Sequence, residues 1–177
     1  MITGLWYTQK NRWHLSYVLA NIAAGGSSVL LPLYAIQLGA DVSQVGILIS
    51  VLNLVAVPAS ILWGTLSDKF INKKFYVCLG FLGSGLSFLL MALVNTYFYL
   101  IILAASFSLW WMAAVSISTI LVVEGVEKKE RGTLLSEFNR KVGFGWLLGL
   151  VLGFAWTGLG SSLFSESSAL RYLFSFM

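Results

Sequence analysis

The chain has 177 residues, 58% of them hydrophobic and only 10% charged, with a mean hydropathy of +0.86 and a net charge of +4. A water-soluble domain carries about a quarter charged residues, which excludes a soluble enzyme or binding module. The positive balance reports membrane topology and gives no reason to expect a nucleic-acid partner.

Residues 15–40, 42–67, 75–123 and 142–165 contain no Asp, Glu, Lys or Arg. One membrane crossing takes about 20 apolar residues at about 1.5 Å rise each. The long run 75–123 is therefore a hairpin, turning at Asn95-Thr96. The spacing predicts spans over 15–38, 43–66, 75–94, 97–122 and 142–160, and a sixth starting at 169. The expected fold class is all-α: a polytopic membrane helix bundle of five complete transmembrane helices plus the start of a sixth, in one domain over 1–177.

Aromatic residues cluster where lipid headgroups would lie, with Trp6, Tyr7, Trp13 and Tyr17 at the start of the chain and Tyr97 and Tyr99 opening span 4. Span 1 is too long for a signal peptide. It holds Asn21, Gly25, Gly26 and Pro32, residues that bend a helix or free its backbone groups, which lipid tolerates beside neighbours or a water-filled cavity. Asn21 fits two readings, a solute pathway or a hydrogen bond within a kinked, closely packed helix. The turn Gly39-Ala40-Asp41-Val42 makes spans 1 and 2 antiparallel neighbours, with Ser43 as a candidate cap. In span 2, Asn53 is equally a pathway residue or a packing hydrogen bond.

Span 3 carries small residues at Gly80, Gly83, Ser84 and Ser87, in the pairs 80/84 and 83/87 that let helix backbones approach. Packing explains them, and the single cysteine, Cys78, reads as an inert small hydrophobe. In span 4, Ser108, Trp111, Val115 and Ser118 share one helix face. Hydroxyls beside an indole suit a weakly polar solute or a cation over the ring; the alternative is serines bonded to their own helix and a space-filling Trp. Gly145, Gly149 and Gly153 put three glycines on one stripe of span 5, a smooth surface for a static or a sliding helix contact.

Ten of the eleven Lys and Arg residues lie at 10–12, 69–74 and 128–141, all on one side of the membrane by this count of spans. The positive-inside rule makes that side, with the N-terminus, cytoplasmic. The exception, Arg171, meets an anionic solute or pairs with Glu166. Between spans 2 and 3 runs Gly64-Thr65-Leu66-Ser67-Asp68-Lys69, then Lys73-Lys74. The lysines are explained as cytoplasmic anchors. Asp68 is not: a carboxylate at the C-terminal end of its own helix is repelled by the helix dipole, so it calls for an external partner.

This stretch resembles the loop between helices 2 and 3 of major facilitator superfamily (MFS) transporters, roughly G-x-L-[SA]-D-[RK]-x-G-[RK]-[RK]. Leu31-Pro32-Leu33-Tyr34, Gly39, Asp41 and Val45-Gly46 are similar to the family's first two spans in order and spacing, and Arg131-Gly132 to its second basic loop. The resemblance covers essentially the whole chain as an N-terminal half. It implies solute transport by alternating access, with spans 1 and 4 lining the pathway, so that Asn21, Asn53, Ser108 and Trp111 are the candidate solute contacts. It also implies that Asp68 meets a helix N-terminus of the other half, with Gly64 allowing the approach and Lys69, Lys73 and Lys74 supplying local charge. Three departures stand out: Ile71 stands where the motif has glycine, or else one residue is inserted before Lys73-Lys74; span 4 lacks an arginine near its start; and span 5 lacks the Gly-Pro of drug antiporters.

The acids Asp41, Asp68, Glu124, Glu127, Glu130, Glu137 and Glu166 all lie at or outside span ends. A coupling acid within the membrane would therefore come from elsewhere, or transport is uncoupled. His14 is the only histidine and sits at the membrane edge, so neither an intramembrane enzyme nor a metal or other cofactor site is expected. The expected partners are a small-molecule solute, membrane lipid, and a missing C-terminal half or a second chain, since the sequence stops at Met177 in the sixth span. The expected location is the plasma membrane. The rival readings are a non-transport scaffold or regulatory subunit, and a split or remnant half that needs a partner chain.

Overall fold

The computed structural model describes residues 3–69, 72–124 and 126–163, with side chains from 16 to 157 within them. Five helices follow in order: α1 (Thr3–Gln37), α2 (Val42–Lys69), α3 (Lys73–Leu93), α4 (Tyr97–Val123) and α5 (Lys128–Leu163). Over Ser16–Gln37, Val42–Lys69, Lys73–Leu93 and Tyr97–Val123, four of them are long and apolar enough to cross a membrane. The described residues thus support four spans where the sequence predicts five. The predicted fifth span falls on α5, and the start of the sixth at 169 lies outside the described residues.

The helices overrun the predicted spans at their charged ends. The polar run Gly64–Lys69 is the last part of α2 and not a loop, and the basic stretch expected to be a loop up to residue 141 is helical from Lys128. At the start of α5 the cause is that Lys, Arg and Glu are good helix formers; polarity marks where lipid ends, not where the helix does. An i,i+4 pair between Glu137 and Lys141, at 2.9 Å, adds a little support.

The turn between α1 and α2 is built from backbone rules. Gly39, at φ +87°, lets the Ala40 N–H reach the Ala35 carbonyl and the Gly39 N–H reach that of Ile36, the two bonds of a Schellman ending. Asp41 then caps α2: its Oδ1 accepts from the Gln44 N–H at 2.7 Å, while Gln44 Oε1 accepts from the Asp41 N–H at 3.0 Å. This reciprocal capping box replaces the predicted Ser43 cap.

Sequence neighbours are not always the main packing partners. α1 lies chiefly on α5 and only thinly on α2, whereas α4 packs on both α2 and α3. The small residues set these choices. A β-carbon at Gly145 would stand 2.7 Å from the Val18 carbonyl oxygen, and one at Gly153 would be 3.1 Å from the Gly26 Cα. Between α3 and α4, a β-carbon at Gly80 would lie 2.7 Å from the Ala114 nitrogen, and the Ser87 and Ser106 hydroxyls meet at 3.2 Å. Cross-helix bonds knit the rest: Trp63 Nε1 donates to the Leu109 carbonyl at 2.8 Å, Tyr34 to Val94 and Tyr97 to Gln44, both at 2.6 Å. Leu30, Tyr34, Leu48, Met91 and Leu100 form the main core at the end opposite the lysines.

Candidate functional site

α2 offers two unlike faces. Leu48, Ala59, Trp63 and Ser67 are buried, fixing the helix against its neighbours. Away from them run Gly46, Ser50, Asn53, Val57, Ser60, Gly64 and Asp68, whose steps of 4, 3, 4, 3, 4 and 4 keep them on one face. The polar side chains along it fold back on their own helix: Ser50 Oγ donates to the Gly46 carbonyl at 2.8 Å, Asn53 Nδ2 to Ile49 at 2.9 Å and Ser60 Oγ to Val57 at 2.7 Å. A β-carbon at Gly46 or Gly64 would meet nothing within 4 Å. Apart from exposed Val57 this stripe is small or polar and open; exposed Leu54 and Ile61 flank it on α2, as Leu82, Leu86 and Phe154 turn outward on α3 and α5.

Asp68 closes this face at the basic end. It is exposed, and among the described residues no hydrogen bond or ion pair engages its carboxylate. Lys69, next to it in sequence, and Lys74, at the start of α3, are exposed. Lys73 is committed elsewhere: its Nζ lies 2.5 Å from Glu124 Oε1, joining the start of α3 to the end of α4. Glu124 is thus a loop residue in an ion pair.

The four predicted pathway residues are not brought together. Asn21 is buried where α1 meets α5, its Nδ2 donating to the Tyr17 carbonyl at 2.8 Å, and a β-carbon at Gly145 would touch its Cβ at 3.4 Å. Asn53 lies on the open face of α2. Ser108 Oγ donates across to the Leu52 carbonyl of α2 at 2.7 Å, using that oxygen's second lone pair. Trp111 is half-buried, stacked on Phe107 with ring centroids 5.8 Å apart and edge-on to Phe81 at 6.3 Å.

Sequence reasoning missed the rings around Trp111, although Phe107 stands four residues before it on the same face. It also missed the pairing of Lys73 with Glu124, which no local spacing announces.

Helices this apolar, joined by short turns, define a multi-pass membrane protein. A family model described as the Major Facilitator Superfamily matches residues 13–177, and the chain belongs to that family. Comparisons with curated proteins and with solved structures returned no match.

Proposed function

We propose that this chain is the N-terminal bundle of a secondary transporter or facilitator that moves a small solute by alternating access, rocking against a second bundle around a midplane site. The observation that carries the reading is the open face of α2. Small and polar residues on a membrane helix are the surface on which another helix packs, because they admit close backbone approach; against lipid they gain nothing. The second bundle, a C-terminal half or a separate chain, covers this face in one state. Asp68 then meets a positive helix N-terminus across the contact, and Gly64 leaves room for it. In this reading the Lys73–Glu124 pair locks α3 to α4, so that the basic end moves as a unit. The basic end is cytoplasmic by the positive-inside rule, and the plasma membrane is the proposed location.

A photo-crosslinking residue placed at 53 or 64 in the protein expressed in its native membrane tests this. Crosslinks should form to a helix outside residues 1–177, while positions 82 and 154 should capture lipid alone. Capture of lipid alone at all four positions would refute the reading.

A further inference from the structure

α5 carries two opposite surfaces. Gly145, Gly149 and Gly153 turn to α1, where a β-carbon at each would strike or crowd the α1 backbone. On the other side Arg140, Phe144, Leu147, Val151 and Phe154 step by 4, 3, 4 and 3, and all are exposed. Small residues mark where one membrane helix meets another; this bulky row is a surface for lipid. From Phe144 to Phe154 it runs for about 15 Å, the depth of one leaflet in a hydrocarbon core about 30 Å thick.

Arg140 heads the row at the height of lipid headgroups. The three glycines lie against Val18, Ile22 and Gly26 in turn, so α1 and α5 run parallel and in step. The membrane-crossing part of α1 begins at Ser16, which that register sets level with Gly143. Arg140, three residues earlier, stands about 4.5 Å outside the hydrocarbon, within a headgroup layer about 5–7 Å deep. The other cations of α5 are committed or distant. Lys141 is paired with Glu137 at 2.9 Å, Arg131 Nε donates to the Val126 carbonyl at 2.9 Å, and Lys128 and Lys129 lie about 20 Å beyond the hydrocarbon edge. Among the described residues no hydrogen bond or ion pair engages Arg140.

We propose that the outer face of α5 seats an anionic phospholipid, its phosphate on the Arg140 guanidinium and an acyl chain along Phe144, Leu147, Val151 and Phe154. The guanidinium fork fits a phosphate with two parallel hydrogen bonds, and the side chain's apolar stem can lie along the row beneath it. A zwitterionic lipid offers the same phosphate but brings its own ammonium group, which the guanidinium repels. One cation near the surface favours an anionic headgroup by about fivefold. The inference rests on membrane residence and is independent of the transport reading.

A photo-crosslinking residue at 144, one turn into the membrane from Arg140, tests it. The full protein, with any second bundle, is placed in nanodiscs of equal parts phosphatidylglycerol and phosphatidylcholine, and the captured lipid is identified by mass spectrometry. Phosphatidylglycerol should be captured about fivefold over phosphatidylcholine. Arg140→Gln should bring the ratio close to one, and Arg140→Lys should keep most of the preference. Lys128→Gln combined with Lys129→Gln removes twice the charge, farther from the bilayer, and should leave the ratio unchanged. A parent ratio near one would overturn the proposal, as would an Arg140→Gln ratio equal to the parent's. A fall in the Lys128/Lys129 variant as large as that in Arg140→Gln would replace the seat with diffuse attraction. Capture of a peptide at 144 in place of lipid would show the row covered by a helix, and the proposal would fail. Crosslinks from 53 and 64 test the transport reading separately, so either can fail alone.

Discussion

Replacing Gly149 by alanine tests the α1–α5 contact, the closest backbone approach in the bundle. The added methyl would fall on the Ile22 carbonyl oxygen and lie 2.8 Å from the Gly26 nitrogen. Carbon contacts are comfortable only from about 3.5 Å, so the helices must part by roughly an ångström. Both obstructing atoms are backbone, so no rotamer change on α1 can absorb the methyl. Parting also loosens the neighbouring contacts of Gly145 and Gly153, and a gap of about 0.5–1 Å forfeits a quarter to a half of each contact's attraction. Overpacking costs about 1–3 kcal/mol, and the rigidity of this site places Gly149→Ala near the top, at about 3 kcal/mol. Gly143, on the same helix, would meet nothing within 4 Å. Gly143→Ala should therefore be neutral, or gain up to about 1 kcal/mol from helix propensity, less if the detergent-unfolded state stays helical. Reversible unfolding in mixed micelles by titration with dodecyl sulfate, followed by tryptophan fluorescence, measures both variants. Stabilities within about 0.5 kcal/mol of each other would refute this account of the contact, since the overpacking term alone exceeds that margin.

Ser108→Ala removes the bond from Ser108 to the Leu52 carbonyl and should cost about 0.6 kcal/mol, the typical worth of a membrane hydrogen bond, by the same titration. Trp63→Phe loses the bond to Leu109 together with indole packing against Trp110 and Tyr76, and should cost more than Ser108→Ala. A double-mutant cycle on Lys73→Met and Glu124→Gln should give a coupling of about 0.2–1 kcal/mol, because both side chains are partly solvated; a null coupling in high salt would agree, and one above about 2 kcal/mol would not. Asp41→Ala breaks the capping box and should cost about 1 kcal/mol, whereas Ser43→Ala should be nearly silent; the reverse order would restore Ser43 as the cap.

Much of the fold was legible because lipid imposes a simple rule: an uncharged run long enough to cross becomes a helix. That rule located the hairpin turn at Asn95-Thr96 and the tight connection at Gly39. It failed at Lys128 and Lys69, where helix continues into polar surroundings. Packing partners were harder to read. Amphipathicity points a soluble helix toward its core, but a helix in lipid is apolar all round, so α1 itself carries no periodic trace of its choice of α5 over α2. The glycines at 145, 149 and 153 did leave one, and they form the contact. Ser108 shows the limit for single polar residues. From sequence its hydroxyl could bond its own helix or face a solute; the structure gives it a carbonyl on α2. Asp41-x-x-Gln44 was a readable capping pattern that attention to Ser43 obscured.

The pairing of helices bears on how the bundle would meet a second one. If α1–α3 and the segment from α4 onward are two inverted repeats, exchanging them carries the α1–α5 contact onto α4–α2. Those are two of the main pairings observed, so the topology fits that symmetry. The chemistry of the two seams does not follow it. The α1–α5 seam is made by removing side chains until backbones touch, and the α2–α4 seam by Ser108 and Trp63 reaching across to carbonyls. The second arrangement needs little of α2: Leu48, Ala59, Trp63 and Ser67 suffice to hold it. The stripe from Gly46 to Asp68 is thereby released from any duty inside the bundle. Its small and polar character has no cause in the packing described, and the contact proposed with a second bundle supplies one.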